Sequence, residues 1–373
     1  MVSETDKLVD EAWDSLLARL AKKEPGPVRP CLGDDIDLYV PQAMTLLLLE
    51  SNPSVASLIY KSCCASANRN VYAIMKKLGM PADYFWKFEY WPRERAFEML
   101  KRVINRVFSA MMNQNKEGML DLQDVDVEHM RFTVSFKDCV ECAGIVAEKG
   151  ICYYHAATFA GIVSALINRE LDGFEAKCHA QKDDACIFVI GERDDPEISA
   201  RMSEFLAPTK IQTRIDERLD VCLHGNPLRS IGNLVNIWYY RLLITNSLMT
   251  DPTLAASSFD LGVKYGTRLA SVIVDFYQDS QLSVIKKCYN QLRQLDVTTM
   301  EVGDGVDPVL GYGVDIVLAE CADAEAALKR KELLDFICGE FQGLVSRLLN
   351  RNLVCKESSF EGGKLRVRLF PQA

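Results

Sequence analysis

The chain carries one stretch of sequence twice, and this repeat limits the folds that it can adopt. GIVSALINREL at 161–171 matches GLVSRLLNRNL at 343–353 at seven of eleven positions. Cys139 and Cys321 each lie 22 residues before the matching glycine, so the spacing is kept without a gap. A weaker similarity of pattern relates 52–72 to 251–271. Two copies of a domain of about 170 residues would account for most of a chain of 373 residues.

The repeat predicts three parts. Residues 1–30 are expected to form an amphipathic helix and a linker, because the prolines and glycine of KKEPGPVRP at 22–30 interrupt regular structure. The first copy is predicted at 31–200 and the second copy at 201–373.

Three cysteines and a glutamate in the first copy follow the spacing C-x22-E-x2-C-x7-C. Cys152 falls at the start of a predicted helix, Glu175 and Cys178 on a predicted strand, and Cys186 at the start of the partner strand. Three thiolates and a carboxylate can complete a tetrahedral zinc site, and a full set of protein ligands is typical of structural zinc. In the second copy Leu334 aligns with Cys152, so we expect no equivalent site there.

The spacing leaves other interpretations open. The cysteines can instead be small buried hydrophobic residues. Cys139 and Cys142 form a C-x2-C pair that could supply a rival ligand or a redox pair. His155 and His179 are also near in sequence, although a single histidine more often lies on a surface or packs in a core.

Periodicity of the apolar residues predicts the secondary structure. Helical spacing marks two segments, 93–112 and 281–295. Alternation predicts strands at 129–136, 177–181, 186–190, 313–320 and 364–370. We therefore expect an α+β fold made of two tandem copies of a helical domain with a small antiparallel sheet, in which zinc clips the hairpin of the first copy.

Composition excludes several classes of protein. The formal net charge of −9 argues against a general nucleic-acid or anionic-membrane surface. No stretch approaches 18 uncharged apolar residues, and the N-terminus has no secretory signal. Thirteen cysteines, an odd number, then indicate a reducing compartment, and we expect a cytoplasmic protein.

Residues from about Asp138 to Gly191 resemble the 4-vinyl-reductase domain family, whose members carry a cysteine before a helix and an E-x-x-C…C hairpin. That family includes the sensory domains of phenol- and xylene-responsive activators, archaeal hydrocarbon-binding proteins and relatives of vesicle-tethering subunits. The resemblance implies structural zinc on Cys152, Glu175, Cys178 and Cys186. It also implies a pocket for a small hydrophobic or amphipathic molecule, and pairing of domains as a homodimer or as an internal pseudo-dimer.

Aromatic residues in two stretches, 84–91 and 237–240, are the candidates for lining that pocket. They are Tyr84, Phe85, Trp86, Trp91, Trp238 and Tyr239. The alternative for each is that it packs in the core.

The resemblance and the motifs together predict a non-enzymatic binding module, such as a sensor, carrier or chaperone, because none of the common catalytic motifs is present. One alternative is a component of a tetrapyrrole 4-vinyl reductase, which would need an external source of electrons. Another is a scaffold resembling the vesicle-tethering subunits, in which Cys63 or Cys64 could carry an acyl chain.

Overall fold

The fold is described from a computed structural model. It describes residues 34–52, 54–77, 92–214, 217, 227–236, 239, 243, 252–277, 299–305, 313–319, 331–361 and 364–372. The helices are α1 (Tyr39–Ser51), α2 (Val55–Lys77), α3 (Arg93–Val103), α4 (Ser109–Gln114), α5 (Tyr153–Ile167), α6 (Pro196–Leu206), α7 (Pro252–Ala256), α8 (Ser258–Tyr277) and α9 (Lys331–Leu349). The strands are β1 (Asp35–Asp37), β2 (Met119–Asp126), β3 (Arg131–Lys137), β4 (Leu171–Lys177), β5 (Cys186–Glu192), β6 (Leu234–Asn236), β7 (Thr299–Gly305), β8 (Gly313–Ala319), β9 (Leu353–Glu361) and β10 (Lys364–Pro371).

Contacts divide the described residues into two compact units. The first unit contains 54–77, 92–212 and 228–232, and the second contains 34–52 and most of the chain after 232. Residues 34–52 belong to the second unit because β1 pairs with β6 and α1 packs on α8. These residues differ from the sequence prediction, which includes them in the first copy at 31–200.

The first unit is built on a four-stranded antiparallel sheet in the order β2-β3-β5-β4. Alternation along β3 buries Phe132, Val134 and Phe136, as expected for a strand with one face on the core. Helix α5 packs against α2 and β4, and every residue of α5 except Thr158 is buried. The metal candidates therefore lie around a helix that forms the centre of this core.

The second unit repeats this arrangement with different side chains. Its sheet has the order β7-β8-β10-β9, and α8 packs against α9. In both units the chain runs from a helix to two strands, then to a second helix and two more strands. The fourth strand of each sheet in chain order, β5 or β10, pairs with the second, β3 or β8. The two sheets thus share one topology, and the described chain is an α+β protein.

The repeated sequence forms the same local structure in both units. Asn168 and Asn350 end their helices in the left-handed conformation, with φ of 54° and 51°. In each unit the serine four residues earlier accepts a hydrogen bond from the first strand residue: Leu171 N–H donates to Ser164 Oγ and Leu353 N–H donates to Ser346 Oγ, both at 3.2 Å. The shared S-x3-N-R-x-L pattern is therefore a helix C-cap that turns the chain into a strand.

Several predicted elements are confirmed and one is wrong. The helix predicted at 93–112 is continuous from 93 to 114 through a π-helical turn at Ile104–Phe108. The strands predicted around 129–136, 186–190, 313–320 and 364–370 are β3, β5, β8 and β10. The strand predicted at 177–181 is wrong, since β4 ends at Lys177 and His179–Gln181 form a 3₁₀ turn. The predictions for 1–30 and 281–295 lie outside the described residues.

None of the helices in the described part of the chain has the length and apolar character that a bilayer span requires.

Candidate metal centre

The structure brings the four predicted ligands together. Cys152 is the N-cap residue of α5, Glu175 lies in β4, Cys178 follows the end of β4, and Cys186 begins β5. All four side chains are buried. One ligand atom from each lies within 4.8 Å of the others. Residues up to 34 positions apart in sequence therefore lie close together in the structure.

The sulfur positions suit a tetrahedral ion. Sγ of Cys152 lies 3.9 Å from Sγ of Cys178 and 3.8 Å from Sγ of Cys186. A tetrahedral zinc ion with Zn–S bonds of about 2.3 Å holds its sulfurs about 3.8 Å apart. The two distances from the sulfur of Cys152 therefore match the separation that a shared ion imposes.

Glu175 completes the set with one oxygen that has no partner among the described residues. Oε2 accepts a hydrogen bond from the backbone N–H of Cys152 at 3.0 Å, whereas the buried Oε1 receives no hydrogen bond from the residues that the structure describes. Burial raises the pKa of Glu175 well above its ordinary value, and the sulfurs of Cys178 and Cys186 raise it further. A cation beside Oε1 would satisfy this atom and keep the carboxylate ionised.

The segment after β4 explains how Cys178 reaches the site although it is not in a strand. Cys178 N–H donates to Asp183 Oδ2 at 2.9 Å, and Cys178 Sγ accepts from Ala180 N–H at 3.4 Å. Lys182 takes the left-handed conformation with φ of 73°. These local bonds fold CHAQKDDAC into a compact turn, which keeps the thiol of Cys178 inward.

The thiol group is larger than the predicted set. Sγ of Cys139 lies 3.5 Å from Sγ of Cys152, and Sγ of Cys142 lies 3.4 Å from Sγ of Cys186. The name cysteine cluster is used below for Cys139, Cys142, Cys152, Cys178 and Cys186, all of which are buried. The pair whose role the sequence left open therefore contacts two of the predicted ligands.

A buried glutamate ties the C-x2-C loop to the helix. The carboxylate of Glu141 accepts hydrogen bonds from the backbone N–H groups of Tyr154 at 3.0 Å and His155 at 2.9 Å. It thus satisfies two amides that the first turn of α5 would leave unbonded. Sequence reasoning missed Glu141, although its position inside C-V-E-C, between two buried cysteines, was an available signal.

His155 is buried beside the cluster between two carboxylates. Its Nδ1 lies 2.5 Å from Glu141 Oε2 and 3.7 Å from Cys139 Sγ, and its Nε2 lies 3.5 Å from Glu117 Oε2. Burial alone would lower the pKa of His155, but the charges of Cys139 and Glu141 outweigh it and raise that pKa well above its ordinary value. His179, the other candidate histidine, is exposed and pairs through Nδ1 with the carbonyl of Asp183.

Other predicted residues stand apart from this site. Within the described residues, no group of three metal-ligating side chains includes Cys338 or Cys355 of the second unit. Of the aromatic pocket candidates, Tyr239 is described and is buried. The remaining five, Tyr84, Phe85, Trp86, Trp91 and Trp238, lie outside the described residues.

Comparison with known proteins finds one family and one relative in sequence. Residues 132–192 match the 4-vinyl-reductase domain. An uncharacterized protein of Methanocaldococcus jannaschii is 28% identical over 94 residues, which is 25% of this chain and 51% of that protein. This chain therefore spans about half the length of that relative.

Two solved structures are weakly similar. The phenol-responsive sensory domain of the transcription activator PoxR, with phenol, matches at 13% identity with a TM-score of 0.32, covering 44% of this chain and 81% of that domain. A trafficking protein particle complex subunit 3 from Naegleria fowleri, covalently bound to palmitic acid, matches at 11% identity with a TM-score of 0.27, covering 49% of this chain and 92% of that one. Similarities of this size carry no argument about this chain. The segment 132–192, which holds the whole cysteine cluster, is identified by its sequence match as a 4-vinyl-reductase domain, the family that its cysteine and glutamate pattern resembles.

Proposed function

We propose that this chain is a zinc-containing binding module, a sensor, carrier or chaperone, for a small hydrophobic or amphipathic ligand. One observation carries the metal part of the proposal. Three buried thiols and one carboxylate oxygen of Glu175 lie within 4.8 Å of one another, and they come from a helix start, two strands and a turn. Oε1 of the same carboxylate is buried and has no hydrogen-bond partner among the described residues.

Zinc is the ion that this donor set favours. Thiolates are soft ligands that select zinc over magnesium or calcium, and a carboxylate oxygen is also a common zinc ligand. The four side chains Cys152, Glu175, Cys178 and Cys186 would fill a tetrahedral shell and leave no position for a substrate. The ion would therefore have a structural role, which is to hold the start of α5 against the β4–β5 hairpin.

We further propose that the second unit is a degenerate copy of the first. In sequence the copies would lie near 31–200 and 201–373, although residues 34–52 belong to the second unit. The shared strand order and the identical helix cap at Asn168 and Asn350 support this. A tandem chain could pair its own copies as a pseudo-dimer or form a homodimer. Zinc would bind the first copy alone.

The ligand part of the proposal comes from the family match at 132–192. Membership of this family favours binding of a small molecule. The proposed lining of the ligand pocket is the set of aromatic residues Tyr84, Phe85, Trp86, Trp91, Trp238 and Tyr239. A cytoplasmic location belongs to the same proposal, because thirteen cysteines, an odd number, suit a reducing compartment.

Native mass spectrometry of the purified full chain tests the proposal. We expect a mass that includes zinc, an additional small apolar ligand that is released on denaturation, and a defined oligomeric state. A protein without zinc after purification and zinc addition would reject the metal part. A bound tetrapyrrole or flavin, seen as visible absorbance, would instead favour the reductase alternative, and a covalent acyl mass would favour the tethering scaffold.

A further inference from the structure

We propose that the cysteine cluster holds a second zinc-class cation on the side of the C-x2-C loop. Its ligands would be Cys139, Cys142, Cys152 and Cys186. The thiolates of Cys152 and Cys186 would then bridge two ions. This inference rests on the proposed function, because it shares two ligands with the zinc site proposed there.

The positions of the donor atoms form two overlapping sets. In one set are Cys152, Glu175, Cys178 and Cys186, and in the other are Cys139, Cys142, Cys152 and Cys186. Within each set the ligand atoms lie within 4.8 Å of one another. The two sets share Cys152 and Cys186, whose sulfurs are 3.8 Å apart. This pair lies between the Glu175 side and the Cys139 side of the cluster.

The number of donors matches two ions better than one. A single tetrahedral zinc needs four donors, which leaves Cys139 and Cys142 buried in contact with thiolates but without a function. Two tetrahedral ions need eight bonds, and six donors supply them when two thiolates bridge. Zn₂Cys₆ modules show that paired zinc ions on cysteines are an established arrangement in proteins. Here one carboxylate would replace one of six cysteines.

The loop that carries Cys139 and Cys142 is held in place before any ion binds. Val140 N–H donates to the carbonyl of Glu117 at 3.0 Å, and the N–H groups of Ala143 and Ile145 donate to the carbonyls of the two cysteines at 3.1 and 3.0 Å. Glu141 fixes the same loop to α5. Binding at a site that is already ordered costs little conformational entropy.

Asp138 anchors the other end of that loop. Its carboxylate accepts hydrogen bonds from both the backbone N–H and the hydroxyl of Ser230. The buried Arg229 donates to the carbonyls of Lys116 and Asp138, at 2.7 and 3.3 Å. Hydrogen bonds on both sides of the C-x2-C pair thus hold the loop that carries the two thiols.

A cavity lies beside each side of the cluster. A cavity of about 220 Å³ is lined by Glu175, Gly150 and Arg201 among others. A second cavity of about 250 Å³ is lined by Cys139, His179 and Arg229 among others. The first cavity thus borders Glu175 of one set, and the second borders Cys139 of the other set.

The test is the zinc content of the full chain, measured by native mass spectrometry after zinc loading and removal of excess metal. We expect two zinc ions per chain, and one in each of C139S and C142S. The matched control is Cys63→Ser, which changes a buried cysteine outside the cluster and should keep both ions. One ion in the unaltered chain, unchanged in C139S and C142S but lost in C178S, would overturn the second site and leave the first intact. No zinc in any protein would reject both.

A spectrum of the unaltered chain avoids any folding defect of the variants. With cadmium-113 in place of zinc, two thiolate-bridged ions should give two resonances that couple to each other through sulfur. A single resonance at saturating cadmium would contradict the proposal. Two uncoupled resonances would contradict the bridging by Cys152 and Cys186.

Discussion

The backbone amide of Cys152 donates a hydrogen bond to Oε2 of Glu175 across 3.0 Å, and this contact joins the start of helix α5 to strand β4. The other oxygen of this carboxylate, Oε1, is buried and has no hydrogen-bond donor among the described residues. One side chain thus has two tasks. It fixes the helix to the hairpin, and one of its oxygens is a candidate ligand within 4.8 Å of the three sulfurs.

Removing a thiol ligand should remove zinc and destabilise the first unit. C178S and C186S are each expected to lower zinc content and to lower the free energy of unfolding, because the binding energy of structural zinc is part of the folding energy. C338S and C355S are the controls, since both change thiols of the second unit. Metal analysis and thermal unfolding are the measurements. Unchanged zinc in both C178S and C186S would rule out the assignment of these ligands.

Changing Glu175 to glutamine should weaken zinc binding while keeping the contact to Cys152. The amide oxygen can still accept the N–H of Cys152, but the ligand loses its charge, so zinc affinity should fall by at least about tenfold. Competition with a chromogenic chelator measures this. E148Q, at an exposed glutamate nearby, should bind zinc as the unaltered chain does.

The same substitution should have the opposite effect on the metal-free protein at neutral pH. The pKa of Glu175 in the folded chain is raised well above its ordinary value, chiefly by burial. A raised pKa means that the folded state binds this proton more tightly than the unfolded state does. The contribution of protonated Glu175 to the free energy of unfolding is therefore fully present below the unfolded-state pKa of about 4.3, and it is lost as the pH rises through the folded-state pKa. E175Q cannot ionise and should escape this loss. The measurement is urea unfolding of both chelator-treated proteins at pH 5 and pH 8. If metal-free E175Q is less stable than the parent at pH 8, this prediction is wrong.

The sequence predicted which residues come together in the candidate site better than it predicted their surroundings. C-x22-E-x2-C-x7-C was informative because each ligand sits at the end or edge of an element, where its neighbours in sequence already indicate a helix start or a strand. Cys178 was assigned to a strand because the local alternation of KCHAQ resembles one. The bonds of Cys178 to Asp183 and Ala180 override that alternation, and such side-chain bonds are not visible in a hydrophobic pattern.

The wider cluster was harder to predict, since its members meet only in the tertiary structure. Cys139 lies 13 residues before Cys152 and no period relates them, yet their sulfurs are 3.5 Å apart. The charged residues Glu117 and Glu141 would be expected on the surface. Both are buried because both pair with His155. Glu141 also accepts hydrogen bonds from the first turn of α5. The repeat, by contrast, was readable because a helix cap needs specific residues at fixed spacing.

A substitution at Gly150 should test the position of the Glu175 side chain specifically, because it leaves all four proposed ligand residues unchanged in sequence. A β-carbon at Gly150 would lie 2.5 Å from Oε2 of Glu175 and 3.1 Å from its Cβ. G150A should therefore displace the carboxylate and lower zinc affinity by about 10–100-fold, the usual effect of changes in the surroundings of a metal ligand. The E175Q,G150A double variant supplies the control, since the effects should be less than additive if both act through the side chain of Glu175. Zinc affinity in G150A equal to that of the parent would argue against Glu175 as a ligand.

The two matched glycines of the repeat should be equally intolerant of a side chain. A β-carbon at Gly161 would lie 2.4 Å from the carbonyl oxygen of Cys64, and one at Gly343 would lie 2.2 Å from the carbonyl oxygen of Val263. In each case the obstacle is the backbone of the helix packed against it, α2 for Gly161 and α8 for Gly343, and a backbone cannot rotate away. G161A and G343A should therefore each cost about 1–3 kcal/mol of stability. Lys331→Ala, at an exposed position of α9, should be nearly neutral. Chemical unfolding measures all three variants. Loss in G161A without loss in G343A would mean that the second unit does not depend on the close helix packing of the first, which would weaken the case for duplication.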